Sequence, residues 1–560
     1  MIIVIIALYA PTWRCPLQWD DKIMIQDSVS LAAPRSISEI LTRPYRSVMN
    51  DAGEDEYYYR PVSLAVLTAE RWAFGTQPLG YRLIQTALHL MCALLLYALL
   101  VRLVAGPGAI AGTVHRGAAT AGALLFAAAP YGVDTVMLVT SMGDLLVLAS
   151  SLVALAAGEA YGRVGGPWRL LLLLAASCVA VFSKESGGVL CAMLAAYLFA
   201  SGIRLKAARG ALAIGAAITA TLAMIAARRA VLGDSGAFSL TSELVPRAFS
   251  GLGAAARYSI FPHPFGLDAE VPSRMLSPEA IAGVAVLALL AVFCVVFRRR
   301  RALGFGLVWW LLALVPSLFV VAQNTVLGAR YLYVPCAGLA CAAAAVCAIQ
   351  GRRGFVACGG VLAVWLLLSA IRVAAWSDDL NLWSREVELN PGCPRGFVNL
   401  AAAYGERGRP DLQEALLRRA AALAETRKDR RMEAIARGGL CEALLRRGSR
   451  DEALRECRAA LEANSDHVGA WLALGNLHAA DGAWDKALRA YREAERRTPN
   501  AYRALISVAG AAAALGDLDV ALSALDKAAA AAAGSPEELA EIGRRRALVL
   551  ERGKSVKGDR

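Results

Sequence analysis

Up to about residue 375, long apolar runs without a single charge alternate with short charged stretches. After Trp376 the runs give way to amphipathic segments crowded with Arg, Glu and Asp. The charge-free runs are Leu83–Val101, Gly117–Val133, Leu145–Gly158, Leu170–Ser183, Ser186–Ile203, Ala211–Ala227, Ala280–Phe297, Ala302–Ala329, Tyr331–Gly351 and Gly354–Ile371. A helix needs about 20 apolar residues to cross the hydrocarbon core. With the short opening run Met1–Trp13, the pattern predicts about eleven transmembrane helices. The opening run has neither a basic start nor a small-residue cleavage site, which argues against a removable signal peptide.

Composition sharpens this reading. Of 560 residues, 57% are hydrophobic and 19% charged, and the mean hydropathy is +0.48. Such a chain is neither disordered nor an ordinary soluble enzyme. Lys and Arg (59) exceed Asp and Glu (46), a net charge of +13. Many of these cations stand in alternate loops: Arg102–Arg116, Arg163–Arg169, Arg204–Arg209, Arg298–Arg301 and Arg352–Arg353. The positive-inside rule places those loops in the cytoplasm, so topology accounts for the basic balance and no nucleic-acid partner is expected. The other loops then face outward: Arg14–Gly80, Pro130–Thr140, Lys184–Glu185, Arg228–Glu279 and Gln323–Arg330. An odd number of spans puts the tail outside as well. The expected organisation is all-α. A polytopic membrane domain covers 1–375, with 14–80 as its first outward loop, and an extracytoplasmic domain covers 376–560.

That tail carries repeats. Trp471, Leu474, Gly475, His478, Ala487, Tyr491, Ala494 and Pro499 follow the tetratricopeptide pattern, in which small residues let paired helices approach and large ones fill the gap. Related units carry Leu440, Cys441, Leu444, Ala453, Cys457 and Ala460, then Leu505, Val508, Ala521, Leu525 and Ala528. An earlier one has Phe397, Leu400, Tyr404, Ala415 and Ala422. About four repeats are predicted, more than the roughly three needed for a continuous core. Their concave face is expected to take an extended peptide, although a merely stiffening or dimerising array fits the same pattern. The twelve cysteines show no zinc spacing and no CxxC. Cys441 and Cys457 fall on facing helices of one repeat. They read first as two packed small residues, with a disulfide as the alternative in an oxidising compartment.

Candidate chemistry gathers in the outward loops. Asp20 and Asp21 follow Trp19 directly after the first apolar run, and carboxylates at a membrane boundary are functional candidates by default. Adjacent like charges raise one pKa, which suits a general base. Arg60 stands between Tyr57-Tyr58-Tyr59 and Pro61. Asp134 occupies the second outward loop, Lys184 and Glu185 the third, and Arg330, Tyr331 and Tyr333 open a later run. Each could be an interfacial anchor. Together they place acids and bases on one membrane face, an arrangement suited to a phosphate-bearing lipid.

At this point the chain resembles the transmembrane and tetratricopeptide-repeat O-mannosyltransferases, within the C-type fold of polyprenyl-phosphate-sugar glycosyltransferases. Trp19-Asp20-Asp21, Tyr59-Arg60-Pro61-Val62, Gly75, Pro78, Gly80 and His89 match the family's opening. Pro130 with Asp134 and Asp144-Leu145-Leu146 fits its next segment, and Ser183-Lys184-Glu185 matches its Cys-Lys-Glu signature. Pro262 through Asp268 resembles a Pro-rich outer loop, and Ala329 through Pro335 matches Glu-Arg-x-Leu-Tyr-x-Pro. The chain departs from the family where Ala129 and Gly132 stand for two histidines, Asp134 for a glutamate and Met142 for an arginine.

The resemblance implies transfer of a sugar, mannose, from a polyprenyl-phosphate donor to Ser or Thr hydroxyls of an exported protein, with inversion. Asp20 or Asp21 would be the base, and Asp134 would orient the acceptor or that base. Arg60, Lys184 and Arg330 would hold the donor phosphate, with Glu185, Tyr331, Tyr333 and His89 in support. No cofactor is required, and a divalent metal stays open. The Ala- and Arg-rich composition suggests a bacterial inner membrane with the site on the periplasmic side. Two rival readings remain: a polytopic transporter, and a membrane-anchored repeat scaffold without catalysis.

Overall fold

Most of each charge-free run becomes helix among the described residues, because apolar side chains give the backbone no competing partner and the helix satisfies its own polar groups. A computed structural model describes residues 1–26, 28, 31, 37–42, 45, 58–106, 110–202, 207–233, 243–262, 266–272, 274, 276–296, 300–324, 326–498, 501–532 and 536–558. Tyr57, Arg204, residues 263–265, Arg298, Arg299, Pro499 and parts of the first outward loop, all read above, lie outside the described residues. The chain forms two compact units. Met1–Pro16, Ile40–Tyr45 and Tyr57–Asp378 belong to the first, and Leu17–Glu39 and Asp379–Arg560 to the second.

In the first unit, helices start where proline fits the first turn: Pro61–Phe74, Pro78–Ala105, Pro130–Met137 and Pro167–Ser183. Further helices cover Met142–Val164, Leu190–Ala200, Ala207–Leu232, Pro278–Val296, Arg301–Asn324, Tyr333–Gln350 and Arg352–Ala375. Among the described residues, 6 helices are long and apolar enough to cross a membrane, against the eleven spans expected. The shorter apolar helices at Ile2–Arg14, Pro167–Ser183, Glu185–Ala200 and Pro278–Val292 account for most of the difference.

The run Gly117–Val133 is not one helix. The helix Thr113–Ala127 stops, and a new one begins at Pro130, since the residue before proline is pushed out of the helical region. Ala302–Ala329 is likewise cut at Asn324. It continues as a short strand, Val326–Gly328, antiparallel to Asp268–Glu270 with Asp268 opposite Gly328. The segments between the runs also contain helices that no apolar run marked, Pro61–Phe74 and Leu244–Ile260.

The second unit contains four successive helix pairs: Pro394–Glu406 with Pro410–Thr426, Arg430–Arg447 with Arg450–Ala463, Val468–Ala480 with Trp484–Arg497, and Tyr502–Leu515 with Leu518–Ala531. Asp379–Leu389 precedes them and Pro536–Gly558 follows. Gly475 lies under the Tyr491 ring, where a methyl group would clash. Ala487, Tyr491, Leu505, Val508, Ala521 and Leu525 share one core across two repeats.

Cys441 and Cys457 are joined as a disulfide, with Cα atoms 5.3 Å apart. The simpler expectation of two packed small residues is corrected. Helix pairing at the repeat's small-residue positions brings the two backbones within disulfide reach. A cross-link over 16 residues of sequence stabilises the unit by about 3 kcal/mol through the unfolded chain's lost freedom. Reducing the full-length protein should therefore speed amide hydrogen exchange in Arg430–Arg447 and Arg450–Ala463 by about a hundredfold. Unchanged exchange after confirmed reduction would reject the role.

Candidate functional site

In the first unit the structure builds a charged cluster from residues far apart in sequence. Arg60, at the N-terminal edge of the Pro61–Phe74 helix, donates from Nε (2.9 Å) and Nη2 (2.8 Å) to Glu185 Oε2. Its guanidinium lies 4.4 Å from the Tyr58 ring centre and 5.5 Å from that of Tyr45. Aromatic faces attract a cation and hold its plane. Lys184 follows the end of the Pro167–Ser183 helix, and its Nζ reaches both Asp144 oxygens at 2.8 and 2.7 Å. Asp144 lies in the first turn of Met142–Val164, where a helix N-terminus favours negative charge. Lys184 also feels the charges of Arg60 and Arg330. Tyr331 joins them: Lys184 Nζ is 5.8 Å and the Arg330 guanidinium 5.1 Å from its ring centre.

Local packing explains the convergence. Ser63 Oγ donates to the Ser183 carbonyl at 2.8 Å, tying the start of one helix to the end of another. A methyl group at Gly143 would stand 3.1 Å from the Ser183 carbonyl and 3.2 Å from Ser63 Oγ, so glycine lets three elements meet. The expected donor-phosphate residues Arg60, Lys184 and Arg330 are thus gathered in one neighbourhood, with Glu185 and Tyr331 beside them. Asp144, Tyr45 and Tyr58 complete it without having been assigned a role from sequence. Asp144 was legible only as part of a motif. The tyrosines carry no signal beyond an aromatic run.

Asp134 does not join this cluster. It is 1% exposed and accepts from Arg372 Nε at 2.8 Å, Arg372 Nη2 at 3.1 Å and Trp376 Nε1 at 2.7 Å. Three donors tie this carboxylate, expected to orient the acceptor or the base, to the end of Arg352–Ala375. Arg372 and Trp376 stand one helical turn apart where the last apolar run ends, and that spacing could have marked them. His89 and Tyr333 lie deeper. The Tyr333 hydroxyl is 2.9 Å from His89 Nδ1, and His89 Nε2 is 3.3 Å from the Ala127 carbonyl. Rings of Tyr9, Phe126 and Tyr333 surround the imidazole. This is a packed aromatic cluster that fixes the helix start carrying Tyr331.

Asp20 and Asp21 belong to the second unit, within Leu17–Glu39, and not to the membrane-domain loop expected of them. Asp21 is fully buried and Asp20 half-buried. Trp19 has a left-handed backbone, φ 53°, and packs edge-on against Trp383 at 5.4 Å. Such a conformation costs a bulky residue about 1–3 kcal/mol. Lys22 is ion-paired with Glu406. The acidic pair therefore sits in a segment fixed on both sides. Among the described residues no three His, Cys, Asp or Glu side chains gather as metal ligands.

The repeats present their own surface. Glu442, Asn476 and Gly510 recur at 34-residue steps and all are exposed. Asn476 Oδ1 accepts from the Tyr491 hydroxyl at 2.7 Å, which turns its amide NH2 outward as a donor. These groups can hydrogen-bond an extended backbone.

The tetratricopeptide-repeat family model matches residues 439–500 and 472–536. Among curated proteins, none matches the sequence. Three solved structures illustrate the likeness. YrrB, described as a TPR protein with an unusual peptide-binding site, is 18% identical (TM-score 0.24, 37% of this chain and 96% of that one). Yeast Tom70 is 12% identical (0.24, 74% and 89%), and the APC/C hetero-tetramer Cut9-Hcn1 is 13% identical (0.30, 90% and 92%). TM-scores this low carry no argument. The family match stands on its own: the tail is a helical tetratricopeptide-repeat scaffold.

Proposed function

We propose that this chain is a membrane-embedded glycosyltransferase. It moves a sugar, mannose by the sequence resemblance, from a polyprenyl-phosphate donor to Ser or Thr hydroxyls of an exported polypeptide held by the repeats. One observation supports it above the others: Lys184 and Arg330 share the Tyr331 ring and Lys184 feels the charge of Arg60 as well, the three cations coming from different segments. Like charges repel, so a fold keeps three cations together only with counter-charge, here Asp144 and Glu185. A phosphate leaving group is the chemistry such a cluster fits. The acceptor hydroxyl oxygen bonds to the anomeric carbon, and the bond from that carbon to the phosphate oxygen breaks. The hydroxyl proton passes to a carboxylate base. The Cys441–Cys457 disulfide fits an oxidising, periplasmic side for the tail.

A second reading, an anchored repeat scaffold without catalysis, is favoured by the carboxylates already paired with these cations, Glu185 with Arg60 and Asp144 with Lys184. Purified full-length protein with labelled polyprenyl-phosphate mannose and a Ser/Thr-rich peptide separates the two. The transferase moves label to the peptide. Peptide binding without any transfer supports the scaffold and overturns the enzyme.

A further inference from the structure

Helices Tyr333–Gln350 and Arg352–Ala375 form a tight hairpin around Gly351, whose φ of 53° suits glycine. Two cysteines face each other across it. Cys347 Sγ and Cys358 Sγ are 3.4 Å apart, and both thiols are free. The backbones are equally close. A methyl group on Gly354 would stand 2.8 Å from the Val346 carbonyl and 2.9 Å from Cys347 Cα. Cys358 follows Gly354 by one helical turn, so it lies on the face that meets Cys347. Closing a disulfide requires the sulfurs to approach by about 1.4 Å, within the reach of side-chain rotation.

Access is one-sided. Cys347 is buried, whereas Cys358 is half-buried and lines an apolar cleft with Cys336, Ala340, Val361 and Trp365. Polar oxidants have little reason to enter such a cleft, but an organic hydroperoxide partitions into apolar surroundings.

We infer that Cys347 and Cys358 form an oxidation site for apolar hydroperoxides, closing to a disulfide that locks the hairpin. The Cys358 sulfur attacks the terminal peroxide oxygen. The O–O bond breaks, and the alkoxide leaves with the thiol proton as an alcohol. The resulting sulfenic acid is attacked by the Cys347 sulfur. The S–S bond forms, and hydroxide leaves with the second thiol proton as water. The two thiols lose two electrons and the peroxide gains them. Because Cys358 is part of the cleft wall, the same bond fixes that wall against Tyr333–Gln350.

The test treats full-length protein in detergent with cumene hydroperoxide, quenches with acid, alkylates under denaturing conditions and maps peptides. The expected product is a linked Cys347–Cys358 peptide, lighter than the two thiol peptides by about 2 Da and reversed by reductant. Cys347→Ser and Cys358→Ser each abolish it, while Cys336→Ser leaves it intact. Cys441–Cys457 serves as the internal standard for an existing disulfide. The inference is overturned if Cys347 stays fully alkylatable while Cys358 alone is oxidised. Pairing of Cys358 with Cys336 would overturn it equally.

Discussion

Arg372→Ala is expected to destabilise the first unit by about 3–5 kcal/mol. The substitution leaves Asp134, 1% exposed, with only Trp376 Nε1 of its observed donors. Two guanidinium contacts at 2.8 and 3.1 Å are lost together. A carboxylate cannot keep its charge in such a place without compensation. The double variant Asp134→Leu/Arg372→Met should recover most of the loss, because an apolar pair of similar volume pays no desolvation. Thermal unfolding in detergent, followed by tryptophan fluorescence, reads both, since Trp376 lies within the contact. A single variant within about 1 kcal/mol of wild type, with no coupling in the double, would show Asp134 to be unanchored.

The same residue shows where sequence reasoning stops. Helical runs were legible because charge is excluded from a 20-residue apolar stretch and nothing else produces that pattern. Their breaks were less so: Pro130 ends one run, yet the apolar composition of Ala128 and Ala129 hid the stop. The repeats were legible at Trp471, Gly475 and Tyr491, where a small residue beneath a ring is demanded by helix approach. Arg60, Lys184 and Arg330 were legible as cations beside or between apolar runs. Their carboxylate partners were not assigned, because which acid meets which base depends on packing between distant helices. Asp134 was read as a loop acid and is buried. Asp20 and Asp21 looked like part of the membrane domain, but Trp19 packing on Trp383 ties their segment to the second unit.

For the proposed sugar transfer, Lys184→Gln is expected to cost about 10²–10³-fold. Lys184 is the centre of the cation cluster: it holds Asp144 at both oxygens and feels Arg60 and Arg330. Charge grows on the phosphate as the anomeric bond breaks, so a cation fixed beforehand stabilises the transition state more than the bound donor. The loss should therefore fall mainly on kcat. Donor KM should change little, because Arg60 and Arg330 still meet the ground-state phosphate. Removing the lysine also strands Asp144, so Lys184→Gln/Asp144→Asn is the necessary companion. If that double variant recovers thermal stability but not transfer, the missing charge and not misfolding explains the loss. Lys184→Arg should keep more activity than Lys184→Gln, though less than wild type, since the planar fork fits the Asp144 contact differently from a point charge. A rise in donor KM with kcat unchanged would make Lys184 a binding residue only. Full activity in Lys184→Gln would remove the cluster from the chemistry altogether.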